Sequence, residues 1–165
     1  MTAGDVAPFM LYGALPTGRV AIEASAGTGK THTITSLFVR LVLERGLPVR
    51  ELLVVTFTDA ATAELRDRIR SRLREAVAVF EQEAARPDGA GVAEVPAGPL
   101  RHLVQHCRGT GTLMQASKHL LGALRGFDEA AIFTIHGFCQ CILIENAFES
   151  GVAFDAELVT DERPL

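Results

Sequence analysis

The sequence predicts an α/β fold in which a parallel β-sheet is flanked by helices. Three short apolar runs, at 19–24, 51–56 and 131–135, are each followed by a helical pattern. The order strand, helix, strand is that of a βαβ unit, which implies a parallel sheet covered on both faces. The 165 residues are 48% hydrophobic and 22% charged. This is the balance of about one globular domain and excludes disordered or collagen-like classes.

The first predicted strand–helix unit follows a lead-in at 1–18 that is rich in glycine and proline. Residues 19–24 form a short apolar run, which is typical of a buried strand. A loop of small residues at 25–29 leads into a helix at 30–44, whose apolar residues recur at helical spacing. Gly46 and Pro48 end this helix.

The second unit begins with the clearest strand of the chain, at 51–56. A long helix at 59–83 follows, because Leu65, Ile69 and Leu73 recur every four residues. We predict Asp59 as its N-cap, since an aspartate side chain can accept a hydrogen bond from the first turn. Arginines alternate along this helix, which spreads their charge around it and favours a solvated face.

A glycine- and proline-rich break at 86–100 separates these units from the third. The remaining predicted elements are helices at 100–107 and 112–125, a strand at 131–135, a helix at 136–148 and a strand at 156–160.

The charge of the chain is unevenly distributed around a net value of −4. Residues 19–74 carry ten Lys/Arg and six Asp/Glu, whereas residues 126–165 carry one and eight. The basic segment 19–74 can bind phosphates even though the whole chain is acidic, because binding depends on the local potential. The three cysteines have no framework spacing and no apolar run is long enough for a membrane span, so we expect a cytoplasmic protein without a membrane partner.

Residues 24–31 carry the pattern of a phosphate-binding loop. The segment Ala24-Ser-Ala-Gly-Thr-Gly-Lys-Thr31 matches G-x-x-x-x-G-K-[ST], except that Ala24 replaces the first glycine. Between a strand and a helix, successive N–H groups cradle phosphates, the lysine reaches the terminal phosphates and the threonine hydroxyl suits Mg²⁺. We expect catalytic roles for Lys30 and Thr31, with Thr31 as the metal ligand. The predicted nucleotide-binding residues are Ala24, Ser25, Ala26, Gly27, Thr28, Gly29, Lys30 and Thr31. The alternative is a glycine-rich turn without a ligand.

Two further motifs follow the loop. They are Leu53-Val-Val-Thr-Phe-Thr-Asp-Ala-Ala-Thr-Ala-Glu-Leu-Arg-Asp-Arg-Ile69 and Phe133-Thr-Ile-His-Gly-Phe-Cys139. These two segments resemble motifs Ia and Ib of the UvrD-type superfamily 1 DNA helicases. Together with the phosphate-binding loop, they have the order of that family. The resemblance covers about 15–162, with motif Ia at 54–69 and motif Ib at 133–139. The stretch 76–126 matches poorly, and we interpret it as a variable linker.

The resemblance implies a RecA-like P-loop NTPase fold, here the incomplete N-terminal part of helicase domain 1A. Within the family the motifs are most similar to the exodeoxyribonuclease V branch. This implies ATP-dependent unwinding of double-stranded DNA ends for break repair and recombination, coupled to exonuclease digestion. The implied cofactors are ATP and Mg²⁺. The implied partners are single- and double-stranded DNA and RecC- and RecD-like subunits in a heterotrimer.

Polar and aromatic residues stand at the end of the second strand, where ligands bind in open α/β sheets. Hydroxyls there can contact phosphates and an aromatic ring can stack on a base. By resemblance, the residues that line a single-stranded DNA track are Thr56, Phe57, Thr58, Thr134 and His136. The structural alternative is a buried strand followed by a well-capped helix, in which His136 is a neighbour of the cap or a core histidine.

Other functional interpretations compete with this one. A small P-loop kinase predicts a lid with several phosphate-binding arginines near 86–125, and the four arginines there follow no lid pattern. A non-catalytic ATP-binding scaffold would bind nucleotide without DNA-stimulated turnover. The segment 157–162 resembles a Walker B strand, but in the family this region follows motif Ib and the Asp-Glu motif lies farther downstream.

The helicase motifs beyond Ib are missing from the sequence, so we expect an N-terminal piece of a longer subunit that is inactive alone. His102, His106 and Cys107 have spacing that could hold a metal but lack a fourth ligand. Cys139 and Cys141 are interpreted as small buried apolar groups.

Overall fold

Six helices and two short strands make up the described part of the chain, residues 9–25, 27, 29–86 and 99–150 of the computed structural model. A single turn of 3₁₀ helix precedes each strand, at Val49–Glu51 and Phe127–Glu129. The elements are α1 Lys30–Arg45, β1 Val54–Thr56, α2 Asp59–Ala84, α3 Pro99–Gly109, α4 Leu113–Arg125, β2 Ile132–Thr134, α5 Ile135–Glu145 and α6 Ala147–Ser150.

The two strands are parallel, as the βαβ order predicts. Val54 pairs with Ile132, Val55 with Phe133 and Thr56 with Thr134. Helices α2, α3 and α4 form the crossover between the strands. We expected helices to cover both faces of the sheet, but within the described residues they do not, as the 40% exposure of Val55 shows. Side chains alternate between the faces of a strand, so one face of β1 packs against helices and the other is open.

The strand predicted at 19–24 is wrong for the described residues of that segment, which have no regular secondary structure. Val20 is 53% exposed and Ile22 is 40% exposed. An apolar run becomes a strand only where a neighbouring strand pairs with its N–H and C=O groups. In the part of the chain that the structure describes, β1 and β2 pair with each other alone.

The core lies among α1, α2 and α4. Its fully buried side chains include Val39, Ile69, Phe80 and Leu120, and burial of each large apolar side chain contributes about 1.5–3 kcal/mol. The helices predicted at 100–107 and 112–125 are confirmed, with slightly different ends. The stretch 76–126 therefore supplies two core helices as well as the glycine- and proline-rich segment, whose residues 87–98 lie outside the described residues.

Helix α2 is capped one residue earlier than the sequence predicts. The Thr58 side chain accepts a hydrogen bond from the Ala61 N–H at 3.2 Å, and Thr58 itself has an extended backbone. Asp59 is the first residue of the helix, where its charge stabilises the positive end of the helix dipole. The N-cap prediction at Asp59 is therefore corrected to Thr58.

The arginines of α2 divide into two groups. Arg68 pairs with Glu64 at 2.6 Å on the solvated face, as predicted. Arg66 instead reaches β2, where its Nη2 donates to the Ile132 carbonyl at 2.9 Å, and it also donates to the carbonyl of Ala130, just before the strand, at 3.4 Å. These bonds attach the helix after β1 to the neighbouring strand.

The helix predicted at 136–148 forms as two helices, α5 and α6, which are separated at Asn146. The Asn146 side chain donates to the Ile142 carbonyl at 2.8 Å and so caps the end of α5. The predicted strand at 156–160 and the Walker B alternative at 157–162 lie outside the described residues.

Candidate nucleotide and nucleic-acid site

The glycine loop turns directly into the N-terminus of α1. Gly27 has φ 79° and Gly29 has φ 86°, a left-handed conformation that side-chain-bearing residues rarely adopt. Gly29 is the N-cap of α1, no described side chain caps this helix, and its first turn contains no acidic residue. The first N–H groups of a helix have no partner within the helix. The N-terminus of α1 thus keeps its donors and positive dipole for an anion. Ala26 and Thr28 lie outside the described residues.

The Lys30 ammonium is directed back over this loop. Its Nζ donates to the Ala24 carbonyl at 2.7 Å and to the Ser25 carbonyl at 2.9 Å. An ammonium has three donors, so one N–H remains to bind an anion held by the loop. Thr31 is half-buried in the first turn of α1. Left-handed glycines, an uncapped helix and a positioned ammonium fit the phosphates of a nucleotide, and the Thr31 hydroxyl fits the accompanying Mg²⁺.

The ends of the two strands lie side by side. Thr56 and Thr134 are the last residues of β1 and β2 and are directly paired. Helices α2 and α5 begin at this same edge, capped by Thr58 and Thr134. The Thr134 hydroxyl accepts a hydrogen bond from the Gly137 N–H at 3.1 Å. Two positive helix ends therefore share one edge of the sheet.

The hydroxyls of Thr56, Thr58 and Thr134 have two roles at this edge. Thr56 Oγ1 donates to the Thr58 carbonyl at 3.2 Å and lies 2.5 Å from Thr62 Oγ1. Thr56 is thus used within the turn. The hydroxyls of Thr58 and Thr134 each accept a bond from a helix N–H, and a hydroxyl that accepts still has its own proton to donate.

Two exposed rings flank these caps. The Phe57 side chain is 86% exposed, and His136, in the first turn of α5, is also exposed. Neither ring contributes to the core. A nearly free aromatic ring beside two helix N-termini is suited to a base that stacks while its phosphates meet N–H and O–H donors.

Comparison with known proteins identifies the group to which this arrangement belongs. Residues 12–163 match the UvrD/REP helicase N-terminal domain. The chain belongs to this family. It is 48% identical over 157 residues to the RecBCD enzyme subunit RecB of Escherichia coli, 40% identical over 159 residues to that of Haemophilus influenzae and 36% identical over 154 residues to that of Mycobacterium tuberculosis. These alignments cover 90%, 92% and 91% of this chain but only 12%, 13% and 13% of the relatives.

Three residues of this UvrD/REP domain support the site but were missed from the sequence. Thr62 contacts Thr56, and Arg66 attaches α2 to β2. Gly137 leaves room for the cap of α5, since a Cβ there would lie 3.2 Å from Thr134 Oγ1. The spacing of three residues from Thr134 to Gly137 is that of an N-cap and its partner, and it could have identified this pair.

The other candidate ligands in this UvrD/REP domain do not form a metal site. No group of three or more His, Cys, Asp and Glu able to hold a metal occurs among the described residues. His102 stacks on Tyr12 with ring centroids 4.8 Å apart. Cys107 is buried, and this burial raises the pKa of its thiol, so it stays protonated near neutral pH.

The interpretation of Cys139 and Cys141 as buried groups is wrong, because Cys139 is exposed and Cys141 only half-buried. Helix α5 has no buried residue, so its apolar side chains, including those cysteines, line an open surface. Within the described residues, no helix of the domain is long and apolar enough to cross a membrane.

Proposed function

We propose that this chain is the N-terminal, ATP-binding part of a RecB-type subunit of a RecBCD-like enzyme. The whole protein would unwind double-stranded DNA ends by ATP-driven translocation on one strand, in DNA break repair and recombination, with exonuclease digestion elsewhere in the enzyme. The described helices and strands would be the start of a RecA-like P-loop domain. We further propose a cytoplasmic heterotrimer with RecC- and RecD-like subunits.

The direct pairing of Thr56 with Thr134 carries this proposal. It brings motif Ia and motif Ib, which are separated by more than sixty residues of sequence, to one edge of the sheet. Ligands of open α/β sheets bind at the C-terminal ends of the strands. A kinase of similar length would not need two such motifs beside each other, whereas a strand of DNA needs a continuous row of contacts.

In the proposed site, ATP binds on residues 24–31. The N–H groups of the glycine loop and of the first turn of α1 hold the phosphates, and Lys30 supplies one positive charge next to them. Thr31 is the proposed ligand of Mg²⁺, which neutralises charge on the phosphates when it is bound. The bonds from Lys30 to the Ala24 and Ser25 carbonyls keep the ammonium over the loop, so little reorganisation accompanies nucleotide binding.

In the proposed DNA track, Phe57 stacks on a base and His136 contributes a second ring. Thr58 and Thr134 donate their hydroxyl protons to phosphate oxygens, and Thr56 keeps the turn in shape. None of these contacts distinguishes one base from another, so we expect binding that is insensitive to sequence and weakened strongly by salt.

The test uses the full-length protein with Phe57→Ala and His136→Ala. Loss of a stacking contact costs about 1–3 kcal/mol, so the single-stranded DNA concentration for half-maximal ATPase should rise about 5- to 150-fold. The affinity for ATP should be unchanged. Met114→Ala is the matched control, because Met114 is 57% exposed and lies in α4 away from the sheet edge. Unchanged stimulation in both site variants would refute the track.

A further inference from the structure

Hydrogen bonds among three threonines hold the turn that carries Phe57. The Thr62 hydroxyl, in the first turn of α2, lies 2.5 Å from the Thr56 hydroxyl and 3.0 Å from the Thr58 carbonyl oxygen. The Thr56 hydroxyl lies 3.2 Å from the same carbonyl oxygen. These three oxygens form a triangle, which we call the threonine triangle. It joins the residues on both sides of Phe57 to α2.

Both hydroxyl protons are used inside the threonine triangle. Each threonine hydroxyl carries one proton. One proton makes the bond between the two hydroxyls, for which either oxygen can be the donor, and the other proton binds the Thr58 carbonyl. The same carbonyl accepts the Thr62 N–H at 2.9 Å, so both of its lone pairs are occupied. Whichever hydroxyl donates to the other, removal of the Thr62 hydroxyl opens the triangle and leaves Thr56 with one longer bond.

The Phe57 ring takes its position from the backbone of this turn. It is 86% exposed and lies outside the hydrophobic core, so packing against the core does not orient it. The residue after it, Thr58, has a further fixed contact, because its hydroxyl accepts the Ala61 N–H at 3.2 Å. A turn that is ordered before a base arrives loses less conformational entropy when the ring stacks. Bonds that hold the turn therefore favour stacking without contacting the DNA.

The position of Thr62 on α2 links this turn to the rest of the sheet. Arg66 lies one turn farther along the helix and donates to the Ile132 carbonyl of β2 at 2.9 Å. Residues four apart lie on the same face of a helix. One face of α2 thus fixes both the end of β1, through Thr56, and the strand beside it. This face thereby sets the spacing of the two motifs that form the proposed DNA track.

A threonine inside a helix often bonds to the carbonyl four residues earlier without any link to a ligand. Thr110 is such a case, because its hydroxyl bonds to the carbonyl four residues earlier at 3.0 Å and lies 2.8 Å from Thr112 Oγ1. The residue between this pair is Gly111, which has no side chain to present. The corresponding bonds of Thr62 enclose Phe57, whose ring is nearly free. Thr110 therefore has the same hydroxyl chemistry without an exposed ring.

We propose that Thr62 is a positioning residue of the DNA track, whose hydroxyl orients the turn from which Phe57 stacks on a base. The inference rests on the proposed function, because it requires the track. Thr62 itself touches no DNA; it acts through Thr56 and Thr58. Its hydroxyl sets how readily single-stranded DNA engages the site, and hence the DNA concentration at which the ATPase is stimulated.

The experiment compares Thr62→Val, Thr62→Ser and Thr110→Val in the full-length protein. Valine removes the hydroxyl and keeps the branched shape, serine keeps the hydroxyl, and Thr110→Val makes the same change at the matched control position. Thr62→Val is also combined with Phe57→Ala. For each variant, the concentration of a single-stranded oligothymidine that gives half-maximal ATPase is measured, and a thermal melt checks the fold. If the valine variant is unfolded, Thr62→Ala replaces it, because alanine is the residue most favoured in a helix.

We expect Thr62→Val to raise the half-maximal DNA concentration about 2- to 12-fold, the change that loss of one hydrogen bond produces. Thr62→Ser should restore a value close to that of the wild type, and Thr110→Val should match the wild type. In the Phe57→Ala background, Thr62→Val should have no further effect, because the ring through which it acts is absent.

An unchanged DNA concentration in Thr62→Val overturns the inference. An equal effect of Thr62→Val with and without Phe57 also overturns it, since Thr62 would then act by general stability. The same holds if Thr62→Ser is as impaired as Thr62→Val, because the hydroxyl would not be the cause. Unchanged stimulation in Phe57→Ala alone would contradict the proposed track, and the inference with it, so the two failures are distinguishable.

Discussion

Replacing Lys30 with methionine removes the ammonium but keeps a long apolar side chain at the same place on α1. Two of the three ammonium donors are bound to the Ala24 and Ser25 carbonyls, so one donor is available to a phosphate oxygen. A hydrogen bond to a charged group contributes about 1.5–3 kcal/mol. Its loss predicts an increase of about 10- to 150-fold in the dissociation constant for ATP.

Calorimetry on the full-length protein measures this change directly. The Arg74→Met variant serves as control, because it removes an exposed charge of the same sign from α2 and should leave the affinity for ATP unaltered. The bonds to Ala24 and Ser25 are also lost in Lys30→Met, and a thermal melt of the same samples shows whether the fold persists. Equal affinity in a folded Lys30→Met protein and the wild type would refute the assignment of this loop to nucleotide phosphates.

Three further predictions concern the residues that support the site and the ATPase activity of the isolated chain. Arg66→Met should lower the free energy of unfolding by about 1.5–3 kcal/mol, because its charged donor binds the Ile132 carbonyl of β2. Arg68→Met should lower it by at most about 1 kcal/mol, because Arg68 belongs to an exposed ion pair. Equal losses in urea titrations would contradict the role of Arg66. Thr58→Ala should cost about 1 kcal/mol through loss of the α2 cap, which the same titrations test against Thr58→Ser, expected to retain most of the stability. The isolated 165-residue chain should show at most trace ATPase, since hydrolysis needs a water-positioning group and arginines; robust turnover that Asp161→Asn abolishes would instead establish a Walker B motif at 157–162.

Much of the site follows from sequence because its determinants are local. A left-handed turn requires glycine, as at Gly27 and Gly29, and the helical patterns that follow the predicted strands at 51–56 and 131–135 form α2 and α5. The parallel relation of β1 and β2 follows from the crossover rule. The turn and the helices depend on a few neighbouring residues and the parallel relation depends on the order of the elements, so the motif pattern is sufficient to predict them.

The features that the sequence did not predict depend on distant neighbours. Residues 19–24 have the composition of a strand, but strand formation needs a pairing partner, and Val20 and Ile22 are exposed. Cys139 lies on a helix that is rich in apolar residues, and only its surroundings decide that it is exposed. Arg66 looks like any other arginine of α2, yet it bonds to a carbonyl 66 residues away. Sequence spacing carries no record of such contacts.

The central claim is that one DNA strand crosses the paired ends of β1 and β2. Ultraviolet crosslinking of single-stranded DNA to the full-length protein, followed by peptide mapping, tests this most directly. We predict crosslinks in both peptides, at Phe57 and at His136, that disappear at high salt and persist when ATP is bound. Crosslinks confined to other regions, with neither peptide modified, would contradict the claim.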